Sequence, residues 1–291
     1  MKKVISLWLW CIIALVTFPS LAQISPALWQ VEKQGVTSYL LGTMHVGDES
    51  MATLPQSIHK AIESSDAIVV EVNLEAIPAL QMQQRSLPFL RLENGRSLNT
   101  ELSDKSYKLL GTYFAEKGIN IELFSALKPW AVLMTVMQIE MQNAGFIEQN
   151  GIDKQVIQSA TRLNKPIIEL ESLEQQLEMF SAFEEYSDLM VADTFRQLED
   201  FDRYFLGIAN SWKAGDMEAF TEIYQDTFDD SEFGQLNEHV LLIERNQNWV
   251  KKLTTPLTEQ SLFIAVGALH LPEQNGLIAL LKKQGFKVTR L

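Results

Sequence analysis

The 291-residue sequence holds a single cysteine, Cys11. It lies in an N-terminal apolar segment that reads as a cleavable leader. The rest of the chain therefore has no disulfide, no thiol nucleophile and no thiolate metal ligand. Positive charge is also scarce: 24 Lys and Arg face 37 Asp and Glu, for a formal charge of −13. With no basic stripe, nucleic-acid binding and attachment to anionic lipid are disfavoured, and the acidity serves solubility. After the leader no second apolar run reaches membrane length. Three familiar motifs are missing: the G-x-S-x-G elbow, the G-x-x-x-x-G-K-[ST] loop and the G-x-G-x-x-G turn. The acidic stretch Asp226–Glu232 has the wrong ligand spacing and glycine placement for a calcium loop.

The leader is built from Lys2 and Lys3, an apolar run from Val4 to Val16, and small residues at Ser20 and Ala22. That pattern predicts a signal peptide over residues 1–22, cut after Ala22. About 269 residues would follow from Gln23, enough for a single domain over 23–291. Removing the leader takes Lys2 and Lys3 with it, so the charge falls to about −15. Export of a chain without disulfides points to a periplasmic or secreted protein, with no membrane anchor expected after cleavage.

Short apolar runs rich in β-branched residues predict strands at Leu28–Val31, Thr37–Leu41, Ala67–Val72, Pro166–Leu170, Leu262–Val266 and Phe286–Leu291. The first two form a hairpin with Gly35 in the turn. Amphipathic stretches predict helices at Ser103–Lys117, Lys128–Asn143 and Asp153–Leu163, and an almost wholly helical pattern from Leu173 to Lys252. The expectation is a mixed α/β fold. A central, mostly parallel sheet with an N-terminal hairpin is flanked by helices and carries a large helical insertion, roughly 76–165 and 172–255. The helices of Ser172–Lys252 are expected to form a lid.

Two segments repeat one pattern. Strand Thr37–Leu41 leads into Gly42-Thr43-Met44-His45, a helix near Pro55–Ser65 and strand Ala67–Val72. Strand Leu262–Val266 leads into Gly267-Ala268-Leu269-His270, a helix near Glu273–Gln284 and strand Phe286–Leu291. Each is a β-G-x-x-H-α-β unit joining parallel strands by a right-handed crossover. Ligands of open parallel sheets sit beyond the carboxyl ends of the strands. Gly42 and Gly267 permit a sharp exit there. His45 and His270, 225 positions apart, would meet over one edge if their strands are neighbours. Glu71 ends an otherwise apolar strand and needs a partner or a metal.

Two imidazoles and a carboxylate can hold Mn, Co, Zn or Fe in the divalent state, and the metal would activate a water. Glu71 could instead act as the general base. The bland alternatives are two capping histidines and a strand-end salt bridge. Glu169 and Glu171 follow the Pro166–Leu170 strand as weaker candidates, one for the site and one for a helix start. Asp48 and Glu49 read as solvated, His59 as surface or supporting, and His239 as structural.

These residues resemble the TraB/PrgY/GumN family, which includes the animal Tiki proteases. The resemblance covers nearly the whole chain after the leader. It rests on Leu40-Leu41-Gly42-Thr43-Met44-His45-Val46-Gly47, Val69-Val70-Glu71-Val72, Lys128-Pro129-Trp130, Gly151-Ile152-Asp153, Ile168-Glu169-Leu170-Glu171 with Glu174-Gln175-Gln176-Leu177, Glu244-Arg245-Asn246-Gln247-Asn248-Trp249, and Val266-Gly267-Ala268-Leu269-His270-Leu271. It implies a mixed sheet with helical layers and divalent-metal-dependent peptidase activity, with a site made by His45, His270, Glu71 and Arg245. Other branches of the family sequester ligands without catalysis. The chain has no C-terminal membrane segment of the kind found in the Tiki and TraB branches, so it is expected to be closer to the exported bacterial form. Arg245 could pair with Glu71, hold a substrate carboxylate or steady an oxyanion, or simply tie helix to sheet. Asn246 is its neighbour in substrate binding or support. The substrate would be a peptide or a small molecule.

Overall fold

Gln34 (φ 52°) and Gly35 (φ 82°) turn the chain between β1 (Leu28–Lys33) and β2 (Val36–Thr43). Left-handed backbone at both positions is the two-residue hairpin geometry that matches the twist of the strands. The computed structural model describes residues 24–291, so the leader expected over 1–22 lies outside the described residues. The hairpin pairs from Leu28 opposite Leu41 to Lys33 opposite Val36.

Four more strands complete the sheet: β3 (Ala67–Val70), β4 (Ile167–Glu169), β5 (Leu262–Gly267) and β6 (Lys287–Arg290). Their order is β4-β3-β5-β2-β1-β6. Pairings β2–β5, β3–β5 and β3–β4 are parallel, whereas β1 runs antiparallel to both β2 and β6. The mixed, mostly parallel α/β sheet with its N-terminal hairpin is therefore as expected. Strands β2 and β5 are direct neighbours, with Gly42 opposite Val266 and Thr43 opposite Gly267. The two repeated units do join parallel strands, yet neither joins neighbours. Strand β5 separates β2 from β3, and β2 with β1 separates β5 from β6.

Alternation along the strands feeds two cores. Leu41, Ile68, Val70, Phe263 and Ala265 face one side with Ile58, Ile62, Val156, Trp212 and Phe220. Leu40, Val69, Ile264 and Val266 face the other with Trp249, Leu253 and Leu281. All four residues of β3 are buried, as expected of a strand covered on both faces.

Helix α1 (Gln56–Ser64) follows the first G-x-x-H segment. Between β3 and β4 come α2 (Ala79–Leu90), α3 (Leu98–Glu101), α4 (Asp104–Glu116), α5 (Pro129–Asn143) and α6 (Ile152–Arg162). Between β4 and β5 come α7 (Leu173–Glu178), α8 (Ser187–Glu199), α9 (Gly207–Ala214), α10 (Met217–Thr227), α11 (Glu232–Glu238), α12 (Glu244–Leu253) and α13 (Pro256–Glu259). Helix α14 (Leu277–Lys283) precedes β6. Ser103 caps α4 by accepting from the Ser106 amide, as its sequence suggests.

Two helices differ from expectation. Helix α14 starts four residues later than Glu273, because the backbone folds tightly at Gly276, where a Cβ would lie 1.9 Å from the Pro272 carbonyl oxygen. Helix α2 carries no buried residue, so its sequence shows no strong apolar face to announce it. Helices α4, α5 and α8 pack into a third core of Leu110, Phe114, Val132, Val136 and Val191. Among the described residues no helix is long and apolar enough to cross a membrane.

Candidate functional site

Both G-x-x-H segments leave adjacent strands at the same edge. Gly42 is obligatory in its place: a Cβ there would stand 2.9 Å from the Ala268 Cα of the neighbouring segment. Gly267 ends β5, and a 3-10 turn over Ala268–His270 swings His270 back under the edge, where it is 3% exposed.

The state of His270 follows from its partners. The Asn246 Nδ2 amide donates to the carbonyls of Asn275 (2.9 Å) and His270 (3.3 Å), which fixes the direction of the side-chain amide. Its Oδ1 therefore faces His270 Nδ1 at 2.7 Å and must accept a proton from it. Nε2 is left with its lone pair, 3.1 Å from Arg245 Nη1 and 3.9 Å from Glu71 Oε1. Burial pushes the imidazole down to about 3, so it is neutral across the physiological range. The ring packs against Trp249 at 4.3 Å between centroids.

Glu71, one residue beyond β3, is buried and fully engaged. Its Oε1 accepts from the Gly267 amide at 2.6 Å. Its Oε2 accepts from Arg245 Nη2 at 2.6 Å and Gln176 Nε2 at 3.0 Å. Burial opposes the charge, yet the carboxyl is held down near 2 by His270, Arg245, His45 and the Gly267 amide. His270 helps only when protonated, which its burial disfavours, so the permanent charge of Arg245 keeps Glu71 ionised.

Arg245 is the hub. A π-helical turn over His239–Ile243 runs straight into α12 and delivers Arg245 to the strand ends. Nη1 donates to the Leu241 carbonyl (2.9 Å) and His270 Nε2 (3.1 Å). Nη2 donates to Glu71 (2.6 Å) and Glu171 (3.0 Å), and Nε donates to Glu171 (3.1 Å). All five guanidinium N–H groups thus have protein acceptors. Arg245 ties Glu71 to Glu171 and helix to sheet, with no donor left for a substrate. Trp249 Nε1 supports Glu171 at 2.8 Å.

His45 stands apart from this buried knot. Its side chain is 71% exposed, and its Nδ1 meets Asp153 Oδ2 at 2.8 Å. Asp153 raises the imidazole above the ordinary histidine range, although solvent screens so exposed a pair. The Gly151–Asp153 segment clamps the loop: Ile152 N donates to the Met44 carbonyl, and a Cβ on Gly151 would lie 2.3 Å from the His45 carbonyl oxygen.

Of the candidates, the structure brings together Glu71, His270, Arg245, Asn246 and Gly267, with His45 close enough for its charge and that of Glu71 to act on each other. Glu169 is left out. Its Oε1 takes the Asn73 amide on the exposed side of the edge strand, and it is Glu171 that reaches Arg245. Asp48 binds Lys213 at 2.8 Å instead of lying free in solvent. Asp153, Gln176 and Trp249 join the site without having been singled out. Each lies inside one of the motifs that resemble the family, which is the sequence signal for it.

A profile of the TraB/PrgY/gumN family matches residues 27–290. The chain belongs to this family. It is 28% identical to the uncharacterized protein YbaP of Shigella flexneri over 245 residues, covering 84% of this chain and 88% of that protein. Identity to the YbaP protein of Escherichia coli K12 is also 28%, over 84% and 87%. An uncharacterized protein of Treponema pallidum is 24% identical over 156 residues, 53% of this chain and 46% of that protein. No solved structure matches the chain.

A divalent metal of the kind implied for this family fits the chemistry of the donors in part. Glu71, Glu171, Arg245 and His270 form one connected group, and His45 with Asp153 forms a separate pair. With His270 neutral, Glu71, Glu171 and Arg245 together carry a net charge of −1. Each histidine also has its Nδ1 tied to an oxygen acceptor, the arrangement that orients metal-ligating imidazoles. The donors are not drawn together, however. Among the described residues no three His, Cys, Asp or Glu side chains form a metal-holding group, and a metal on His270 Nε2 would have to displace Arg245 Nη1.

Helix α9 is stitched to the first strand end: Trp212 Nε1 donates to the Gly42 carbonyl at 2.7 Å, Lys213 binds Asp48, and the Lys213 carbonyl accepts from Ser25 N at 2.7 Å.

Proposed function

We propose that this TraB/PrgY/gumN protein is an exported, divalent-metal-dependent hydrolase of peptide bonds, acting in the periplasm. The observation that carries the reading is the pair of G-x-x-H segments on neighbouring parallel strands, with both Nδ1 atoms engaged and Glu71 beneath them. His45 Nε2, His270 Nε2 and Glu71 would hold the metal, of which Mn, Co and Zn suit such donors. When bound, the metal would lower the pKa of a coordinated water and polarise the scissile carbonyl.

The remaining work belongs to the chain. Asp153 engages Nδ1 of His45, and Asn246 holds His270 in one tautomer. Arg245, Gln176 and the Gly267 amide fix both oxygens of Glu71. Glu171 and Trp249 fix Arg245 in turn.

The test is metal analysis of the protein beside its His45→Ala/His270→Ala double variant, followed by a peptide-library cleavage assay with and without chelator. The reading requires about one bound ion in the wild type, none in the folded double variant, and chelator-sensitive cleavage. One observation favours a second reading, a pocket that captures a peptide or small ligand without turning it over: Arg245 already occupies the Nε2 face of His270. Ligand binding that survives chelation, without cleavage, would select it.

A further inference from the structure

Two clefts open beside the Glu71–Arg245–Glu171 knot. The larger, about 840 Å³, is walled by Phe89, Met179, Val240, Arg245 and Trp249. The smaller, about 520 Å³, is walled by Asn73, Ile77, Arg85 and Glu169. They share Leu170, Glu171, Gln175 and Lys252, so they lie along one floor at the end of β4 and the start of α7. Between them helix α2 packs against α7, and one ion pair has a foot in each cleft. Arg85 of α2 grips Glu174 of α7 through Nε (2.6 Å) and Nη2 (2.8 Å), and both side chains are about 40% exposed. Arg85 belongs to the smaller chamber and Glu174 to the larger.

Helix α2 is weakly held. None of its 12 residues is buried, and Leu80 and Leu87 are 65% and 40% exposed. Its C-terminal end is tied by the backbone, Lys128 N to Leu90 O and Leu92 N to Ala126 O. Among the described residues, Arg85–Glu174 is the one ion pair joining α2 across the trench. A segment with little buried apolar contact opens at low free-energy cost.

We propose that the two clefts are one substrate trench for an extended polypeptide, and that the Arg85–Glu174 pair is the bar that closes it. The inference rests on the hydrolase reading and names its substrate conformation. A compact molecule fits in either chamber alone, whereas an extended chain uses both. The adjoining sheet edge suits such a chain. The ladder from Pro166 O and Leu170 N to β3 leaves the N–H and C=O groups of Ile167 and Glu169 pointing outward from the sheet. Main-chain pairing to such an edge, with side chains dropping into alternate pockets, is how sheets take extended peptides. The shared floor then carries the chain to Arg245 and the strand ends.

The experiment uses the His45→Ala/His270→Ala protein, so that binding is read apart from hydrolysis. The probe is a dye-labelled polypeptide kept unfolded by reduction and carboxymethylation, followed by fluorescence anisotropy. Arg85→Ala and Glu174→Gln, each added to that background, are expected to tighten binding about five- to tenfold by raising the open fraction. The swap Arg85→Glu with Glu174→Arg should return it toward the starting value. Hydrogen exchange should show Ala79–Leu90 exchanging faster in the opened variants, and Leu173–Glu178 protected when polypeptide is bound. Two outcomes overturn the trench: no binding by any variant, or binding that opening does not change. Binding without cleavage by the wild type would remove the hydrolase and leave the trench. Metal-dependent cleavage of short peptides, indifferent to the crossbar, would do the reverse. Circular dichroism on each variant confirms its fold, and the near-isosteric Glu174→Gln carries the test if Arg85→Ala unfolds.

Discussion

His270 donates its Nδ1 proton to Asn246 Oδ1 at 2.7 Å, and the Asn246 amide is itself oriented by two backbone carbonyls. The consequence is a buried imidazole with one tautomer, its Nε2 lone pair accepting from Arg245 Nη1 at 3.1 Å. Asn246→Leu removes the acceptor and leaves a buried N–H unpaired, a cost of about 1–3 kcal/mol in stability. Losing such an outer partner should also weaken metal affinity about 10–100-fold. Asn246→Asp keeps an acceptor and should recover much of the affinity. Nitrogen chemical shifts of His270 report the tautomer directly, and a chromophoric chelator reports the affinity. Unchanged shifts and affinity in Asn246→Leu would remove Asn246 from this role.

Arg245 sits between two carboxylates, so its removal strands both. Arg245→Met should cost about 3–5 kcal/mol, the range for leaving buried charges without a partner. Arg245→Lys keeps the charge but offers three donors where five are in use, and should fall between. Adding Glu171→Gln to Arg245→Met should restore part of the loss, because one stranded charge is gone. Urea unfolding of the wild type, Arg245→Met, Glu171→Gln and the double variant measures the coupling, and strict additivity would count against a shared network.

The two strand-end glycines are predicted to fail differently. A methyl group at Gly42 meets backbone, the Ala268 Cα at 2.9 Å, and the sheet cannot yield there. At Gly267 it meets the Glu71 Oε1 atom at 3.1 Å and His270 Cδ2 at 3.5 Å. Gly42→Ala should therefore destabilise the fold by about 1–3 kcal/mol. Gly267→Ala should cost less stability than Gly42→Ala, while displacing Glu71 and lowering metal affinity. Equal losses of stability in both would refute the distinction.

Much of this arrangement is legible in the chain. Apolar runs place the strands because β3 and β5 are covered on both faces, and the repeated G-x-x-H spacing marks the two strand ends that the sheet sets side by side. Strand order is not legible: nothing local tells that β5 enters between β2 and β3, since that pairing joins residues some 200 positions apart. Glu169 and Glu171 both alternate to one face, and only the arrival of α12 decides that Glu171 meets Arg245. Asp153 and Gln176 escape for the same reason, their partners being fixed by helix packing. Helix α2 escapes because a helix that buries nothing leaves no apolar stripe to read.

Acid should loosen the helical layer that α4 and α5 share. Burial raises the Glu140 carboxyl, but hydrogen bonds from Lys117 and Tyr113, each 2.7 Å long, more than reverse this and hold it below the ordinary carboxylate range. The folded state therefore binds the Glu140 proton less tightly than the unfolded chain does. Its stabilising contribution is fully present above the ordinary value of 4.5 and is lost as pH falls through the lowered folded value. Glu140→Gln keeps the shape and removes the charge, so it should cost about 1–2 kcal/mol near pH 7. The gap between wild type and variant should narrow as pH drops below about 4.5. Denaturant unfolding at pH 7, 5 and 3.5 reads that gap. A gap that stays constant across the series would mean the Glu140 charge contributes nothing to holding α4 against α5.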